Sequence, residues 1–345
     1  MKLAVNPPVE PMLARGEPAI PVGDGWRYEP KWDGFRALIF RDGDELHIGS
    51  RNALPLERYF PELLDPLRAA LPERCAMDGE IVIATESGLN FDLLQLRLHP
   101  AASRVAKLAA ATPATAVIFD VLCIGDDDVR GLPLDERRPR LVEAVRPGEY
   151  VATTPHTSDA DEAAVWFAAY EGAGLDGLVA KRNDQPYLAG ERGWVKVKHL
   201  RTVDCVVGGY RLDKPGTGIG SLLLGLFNDE GVFHHVGHTS SFSAKERREL
   251  LGELQSLRTS ADGESFGKGR TPGGPSRWSA GKDLSWFPLR PERVCEVSFD
   301  HLQGDRFRHA SRFLRWRTDK DPSDCTFDQI ARPAEFDLKT VLAQD

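Results

Sequence analysis

A chain of 345 residues exceeds one hydrophobic core of ordinary size, so two domains are expected. Its apolar content of 41% and aromatic content of 8% are those of a globular protein that needs no disulfide framework or metal to compensate for a small core. The net charge of −8 argues against grip on nucleic acid by bulk charge, the five cysteines form no C-x-x-C pair, and no apolar run approaches the length of a membrane span. The expectation is a cytoplasmic chain with reduced thiols, no zinc site and no membrane association.

In chain order, residues 1–30 are rich in proline and glycine and read as irregular covering chain. Strands are predicted over 37–40 and 46–49 around the Arg41-Asp42-Gly43-Asp44 turn, then a helix over 56–71 with apolar spacing through Phe60, Leu63, Leu64 and Leu67. Buried strands follow at 81–84 and 116–124. A helix over 159–170 has Asp159 as its cap and Gly172 and Gly174 as its stop. Strands are expected at 177–181 and 194–198. Beyond Arg201 the pattern changes to short strands with glycine turns (204–210, 222–227, 232–236), a charged helix over 243–257 and a long surface loop over 262–283. Short strands with tight turns suggest a small barrel. The domains are therefore expected at 1–201 and 202–345. His234, His235 and His238 lack cysteine or carboxylate companions and read as strand residues, not as metal ligands.

Three constellations carry chemistry. The first is Lys31-Trp32-Asp33-Gly34, where a turn fixes a lysine that can act as a nucleophile and Gly34 permits close backbone approach. The second is Trp194-Val195-Lys196-Val197-Lys198. In a strand, Lys196 and Lys198 share one face, and two like charges side by side call for an anion between them. Lys181 ends another apolar strand that begins after Asp176-Gly177. The third is acidic: Asp78-Gly79-Glu80 is expected at the mouth of a strand, and Asp176 likewise, where carboxylates facing phosphate-binding lysines suit Mg²⁺. Residues 306–320 add a basic strip, Arg306, Arg308, Arg312, Arg315, Arg317 and Lys320, against the single acid Asp319.

Taken in order, Lys31-x-Asp33-Gly34, Ser50-Arg51-Asn52, Asp78-Gly79-Glu80, Phe119-Asp120, Asp176-Gly177-Leu178-Val179-Ala180-Lys181, Lys196-Val197-Lys198 and Arg317-Thr318-Asp319-Lys320 resemble the motifs of covalent nucleotidyltransferases. The likeness covers nearly the whole chain and is strongest to the small bacterial ATP-dependent DNA ligases of the ligase C type, cousins of the ligase domain of ligase D. It implies an α+β fold: an adenylation (nucleotidyltransferase) domain of antiparallel sheets and helices, followed by a smaller OB-fold β-barrel.

The resemblance also implies roles. Lys31 attacks the α-phosphate of ATP and carries AMP covalently. Glu29, next to Pro30, accepts from the adenine amino group, and Phe119 stacks on the base. Arg36 and Glu80 contact the ribose, and Arg51 contacts the phosphate region or the nick phosphate. Lys181, Lys196 and Lys198 neutralise the α-phosphate. Glu80 and Asp176 hold Mg²⁺ or Mn²⁺, with Asp176 standing where the family usually has Glu. Arg312, Arg317 and Lys320 serve from the barrel, which the resemblance implies closes over ATP. The implied substrate is nicked double-stranded DNA, sealed by a monomer, with primase-polymerase or end-binding repair proteins as prospective partners. An RNA ligase or a capping-type nucleotidyltransferase shares the lysine chemistry, and an inactive DNA-end binding module shares the fold.

Overall fold

The fold is that of a computed structural model describing residues 1–345 apart from 87, 260–264, 267–268, 274–282, 301, 331–336 and 343–345. Two compact units are present: residues 1–199 with 333–345, and residues 200–332.

The first unit contains two large sheets and a two-stranded ribbon, Ala84–Thr85 with Gly88–Leu89. One runs in the order Val151–Thr153, Thr115–Ile124, Arg74–Val82, Phe35–Asp42, Glu45–Ser50, with Asp127–Asp128 paired to Thr115–Ile124. Its pairings are antiparallel except that of Val151–Thr153. The other runs Ala14–Gly16, Trp194–Val197, Leu178–Arg182, Trp26–Pro30, with only the Ala14–Gly16 edge parallel. The chain passes from Pro30 in the second sheet to Phe35 in the first through Lys31-Trp32-Asp33-Gly34, so the expected nucleophile lies on the connection between sheets.

The hairpin at Gly43 forms as expected, with φ +63°. The helix predicted over 56–71 does not form in full. Pro61 has no N–H to give to a continuing ladder, so residues 57–63 fold as two 3₁₀ turns and the α-helix spans only Leu64–Ala70. The strand predicted at 81–84 starts earlier, at Arg74, and Asp78 and Glu80 lie within it, not at its mouth. A carboxylate is tolerated mid-sheet there because Arg36, on the neighbouring strand, neutralises Asp78. Asp159 caps Ala160–Ala169 through two backbone N–H groups, and Gly174 ends the following 3₁₀ turn at φ +78°. Helices Phe91–Arg97, Ala102–Ala111 and Leu134–Ala144 are additional to those predicted. So is the helix Leu338–Leu342, whose Leu338 and Val341 join the same buried cluster as Tyr28, Trp32, Trp166 and Leu175.

The second unit is a barrel with strand order Phe233–Thr239, Ile219–Phe227, Arg201–Leu212, Val294–Phe299, Arg312–Trp316. A parallel bridge from Thr239 to Ser311 joins the two ends of that path, giving the closed five-strand Greek key of an OB-fold. Its helix, Ala244–Leu254, falls between the third and fourth strands and starts from a complete Ser243/Glu246 capping box. Leu250 and Leu254 of that helix pack with Val206, Leu222, Leu224, Val236 and Val297 in the barrel core. Of the loop predicted over 262–283, Ser265, Phe266, Gly269–Gly273 and Asp283 are described, and the remainder lies outside the described residues. All five cysteines are buried and unbridged.

Candidate active site

A cavity of about 870 Å³ opens in the first unit, lined from one sheet by Arg36, Glu80 and Phe119 and from the other by Glu29, Val179, Lys181, Trp194 and Lys196, with Lys31 from the connection. Local backbone chemistry fixes that lysine. Its N–H donates to the Gly177 carbonyl at 2.9 Å, and its own carbonyl accepts from the Asp176 N–H at 3.0 Å. Gly177 has φ +123°, and a Cβ there would lie 2.0 Å from the Val197 oxygen, so only glycine fits this junction. Gly34 lines the cavity and is required for a second reason. A Cβ would meet the Ile81 oxygen at 2.2 Å, so the glycine also seats the lysine turn against the strand carrying Glu80.

The expected residues form two chemically distinct sets. In the first, Lys31 Nζ lies 2.6 Å and Lys198 Nζ 2.8 Å from the same oxygen of Asp176. Burial disfavours the Asp176 carboxylate, but Lys31 and Lys198 outweigh it and hold the group below the usual carboxylate range. Burial pulls the Lys196 ammonium downward, and repulsion from Lys198, Lys31 and Arg51 adds to it. Such a cluster of cations around one carboxylate has spare positive charge for an anion. Arg51 stands on the exposed turn after Glu45–Ser50 and lines the same cavity.

The second set surrounds Glu29. Its Oε2 is 2.7 Å from Lys181 Nζ, with the two side chains 3% and 1% exposed. Lys181 also donates to the Phe119 carbonyl at 3.0 Å and lies 4.9 Å from the centre of the Phe119 ring and 4.4 Å from that of Trp194. Lys181 therefore stands with Glu29 and the aromatic wall, not with the phosphate-binding lysines among which it was expected. The other oxygen, Glu29 Oε1, is buried with no hydrogen-bond partner among the described residues. An unpaired buried acceptor in a cavity wall asks for an N–H donor.

Arg36 is more tightly held than a ribose contact alone requires. Nε and Nη2 each lie 2.5 Å from an oxygen of Asp78, Nη2 donates to the Met12 carbonyl at 3.0 Å, and the guanidinium covers the Phe119 ring at 4.6 Å. The Tyr187 hydroxyl donates to Asp78 at 2.6 Å and accepts from the Met12 N–H at 2.9 Å, which locks the group from behind. Met12, Tyr187 and Trp194 were not singled out. Trp194 stood in a quoted motif but read only as the apolar partner in an alternation, while Met12 and Tyr187 gave no local signal.

A divalent ion fits the donor set. Among the described residues no group of three or more His, Cys, Asp or Glu could hold a metal by itself. Glu80 lines the cavity and offers a carboxylate of the kind that a hard ion takes when substrate phosphate and water complete its shell, while the Asp176 carboxylate is held by Lys31 and Lys198. Burial pushes the Glu80 carboxyl up to about 7, with Arg36 and Lys31 pulling the other way, and a nearby cation would favour its ionised form.

In the barrel, Arg317 Nη1 grips both oxygens of Asp204 at 2.9 and 2.7 Å, and Asp319 binds its other face at 2.8 Å. Lys320 lies 3.8 Å from Asp204, and Arg312 is exposed at the start of its strand.

Two family models match this chain. The family model described as "ATP dependent DNA ligase domain" matches residues 11–198, and that of the "ATP dependent DNA ligase C terminal region" matches residues 215–320. DNA ligase C of Mycobacterium tuberculosis is 51% identical over 99% of this chain and 99% of its own length. DNA ligase C1 of Mycolicibacterium smegmatis is 50% identical over the full length of both. A solved structure of a Lig E DNA ligase, 20% identical, superposes with a TM-score of 0.56 over 89% of this chain and 99% of its own, which supports the fold. The chain belongs to the ATP-dependent DNA ligase family, whose members seal nicks in DNA through a covalent AMP adduct with a divalent metal ion. Among the described residues no helix is long and apolar enough to cross a membrane.

Proposed function

We propose that the cavity of the first unit binds ATP with its adenine at Glu29 and its α-phosphate at Lys31, Lys196 and Lys198. The chemical asymmetry of the cavity carries this reading: an unpartnered buried carboxylate oxygen in one residue set and a surplus of lysines in the other. Glu29 Oε1 accepts from an adenine 6-amino group. The 6-oxo group of guanine would instead place acceptor against acceptor, so ATP is preferred over GTP. Phe119 and Val179 line the slot for the base, and Lys181 holds Glu29 in place.

The Lys31 amine, as the free base, forms a bond to the α-phosphorus while the bond from that phosphorus to pyrophosphate breaks. Lys196 and Lys198 stabilise the charge that builds on the phosphoryl oxygens, a preorganised electrostatic effect. A divalent ion held by Glu80 and Asp176 would further neutralise phosphate charge. A 5′-phosphate oxygen at the nick then displaces Lys31 from the same phosphorus. The 3′-hydroxyl next attacks the 5′-phosphorus, and AMP leaves. Arg312, Arg317 and Lys320 serve the adenylation step. Residues 1–201 act as the adenylation domain and the chain from 202 supplies the OB-fold, except that the expected extent of that domain to 345 gives way at the helix Leu338–Leu342, which packs with the first unit. The protein acts as a cytoplasmic monomer that repair proteins recruit to nicks. Incubation with a nicked duplex, ATP and Mg²⁺ tests the reading: sealed strand with ATP and little with GTP is the expected result, and equal use of both would remove Glu29 from base selection.

A further inference from the structure

The rim of the nucleotide cavity carries a feature that adenylation does not use. Leu54 is 63% exposed and lines the cavity, as do Arg51 and Arg58. A lone exposed leucine is ordinary, but this one is held rigidly. The Ser50 N–H donates to the Leu54 carbonyl at 2.8 Å, the Leu54 N–H donates to Ser50 Oγ at 3.0 Å, and the Ala53 N–H donates to the Ser50 carbonyl at 2.8 Å. Closing that turn puts Ala53 at φ +57°, which a residue with a Cβ rarely adopts, and Pro55 then bridges to Gly49. The second arginine is fixed too: Arg58 Nη2 donates to the Pro100 carbonyl at 2.9 Å, and its guanidinium lies 5.1 Å from the centre of the Tyr59 ring. The result is an apolar side chain presented to solvent by a strained, stapled turn, in the wall of a cavity that Lys31, Arg51 and Arg58 also line.

We propose that Leu54 is a wedge that packs against the terminal sugar on the 3′-hydroxyl side of the nick, while Arg51 and Arg58 hold the adjoining phosphates. The inference rests on the ligase reading. Inside a duplex, a nick is where a sugar is not tied to the next phosphate, so a rigid apolar contact there, in a wall that also carries two phosphate-binding cations, positions the attacking hydroxyl. Leu54 is thus a positioning residue for the steps that follow adenylation, and the chemistry it recognises is the apolar face of a nucleotide sugar between two backbone phosphates.

The test compares Leu54→Ser and Leu54→Met with the unaltered chain in two single-turnover assays, sealing of a nick that already carries AMP and transfer of AMP from ATP to the enzyme. Leu54→Ser is expected to slow sealing roughly tenfold, equivalent to about 1.4 kcal/mol, while enzyme adenylation stays within about twofold and Leu54→Met keeps most sealing activity. Unchanged sealing by Leu54→Ser overturns the proposal, as does a parallel loss of adenylation, which would make Leu54 part of the ATP cavity wall. Failure of the unaltered chain to seal the pre-adenylated nick would instead strike at the ligase reading itself.

Discussion

The pairing of Lys181 with Glu29 yields the most quantitative expectation. Their side chains are 1% and 3% exposed and 2.7 Å apart, so removing either partner leaves a charge buried without its counterion. Breaking such a pair costs about 3–5 kcal/mol, whereas replacing both partners with neutral groups of similar size costs far less. Lys181→Met also loses the donation to the Phe119 carbonyl, which the double variant does not restore, about 1 kcal/mol. The single variants Lys181→Met and Glu29→Gln should therefore each lose about 3–5 kcal/mol. The double variant should recover all but about 1–2, a coupling of several kcal/mol. For a unit of this size the single losses correspond to roughly 6–20 °C in melting temperature. Urea unfolding monitored by circular dichroism measures all four proteins. Additive losses, with the double variant as unstable as the sum of the singles, would refute the argument and return Lys181 to a role on the phosphates.

Chelation with excess EDTA should abolish transfer of AMP to the protein, and added Mg²⁺ or Mn²⁺ should restore it; transfer at the full rate in chelator would exclude a metal at Glu80. Lys320→Ala should slow enzyme adenylation at least tenfold while sealing of a pre-adenylated nick changes little, and equal loss on both would mean that the strip only grips DNA. Lys320 is the better probe because Arg317→Ala would strip Asp204, 8% exposed, of its bidentate partner and loosen the barrel as well. His235 is held neutral: burial, aided by Arg306, His238, Arg211 and Arg270, pulls its pKa down to about 3, and neither ring nitrogen has a hydrogen-bond partner among the described residues. Below pH 6.5 the unfolded chain takes up a proton there that the folded chain refuses, so stability should decline from pH 6.5 towards pH 3, by at most about 1.4 kcal/mol per pH unit. His235→Phe should flatten that slope in acid-unfolding measurements, and an unchanged slope would show that His235 is not its source.

Short-range patterns were the legible part of this chain. The alternation of Trp194-Val195-Lys196-Val197 gives a strand with valines buried and the lysine turned the other way, as observed. Asp159, Gly174 and the Gly43 hairpin mark element ends by local chemistry alone, and they form where expected. What could not be read depends on partners distant in sequence. Asp78 looked like a strand end because a carboxylate seldom sits mid-sheet, and its neutralising partner Arg36 lies 42 residues away. Lys181 resembled one more phosphate lysine, since nothing near it in sequence shows that Glu29 arrives beside it from a neighbouring strand. The helix Leu338–Leu342 is too short for a periodic signal, and only its packing shows that it lies with the first unit.

The central claim is that Lys31 carries AMP. Incubation of the chain with ATP and Mg²⁺, followed by proteolysis and mass spectrometry of the peptides, tests it directly. The expected result is one AMP per chain, on the peptide containing Lys31, lost in Lys31→Ala and in Lys31→Arg, whose guanidinium stays protonated and is no nucleophile. Both variants should still seal a nick that already carries AMP. An adduct mapped to Lys196 or Lys198, or full labelling of Lys31→Ala, would contradict the account.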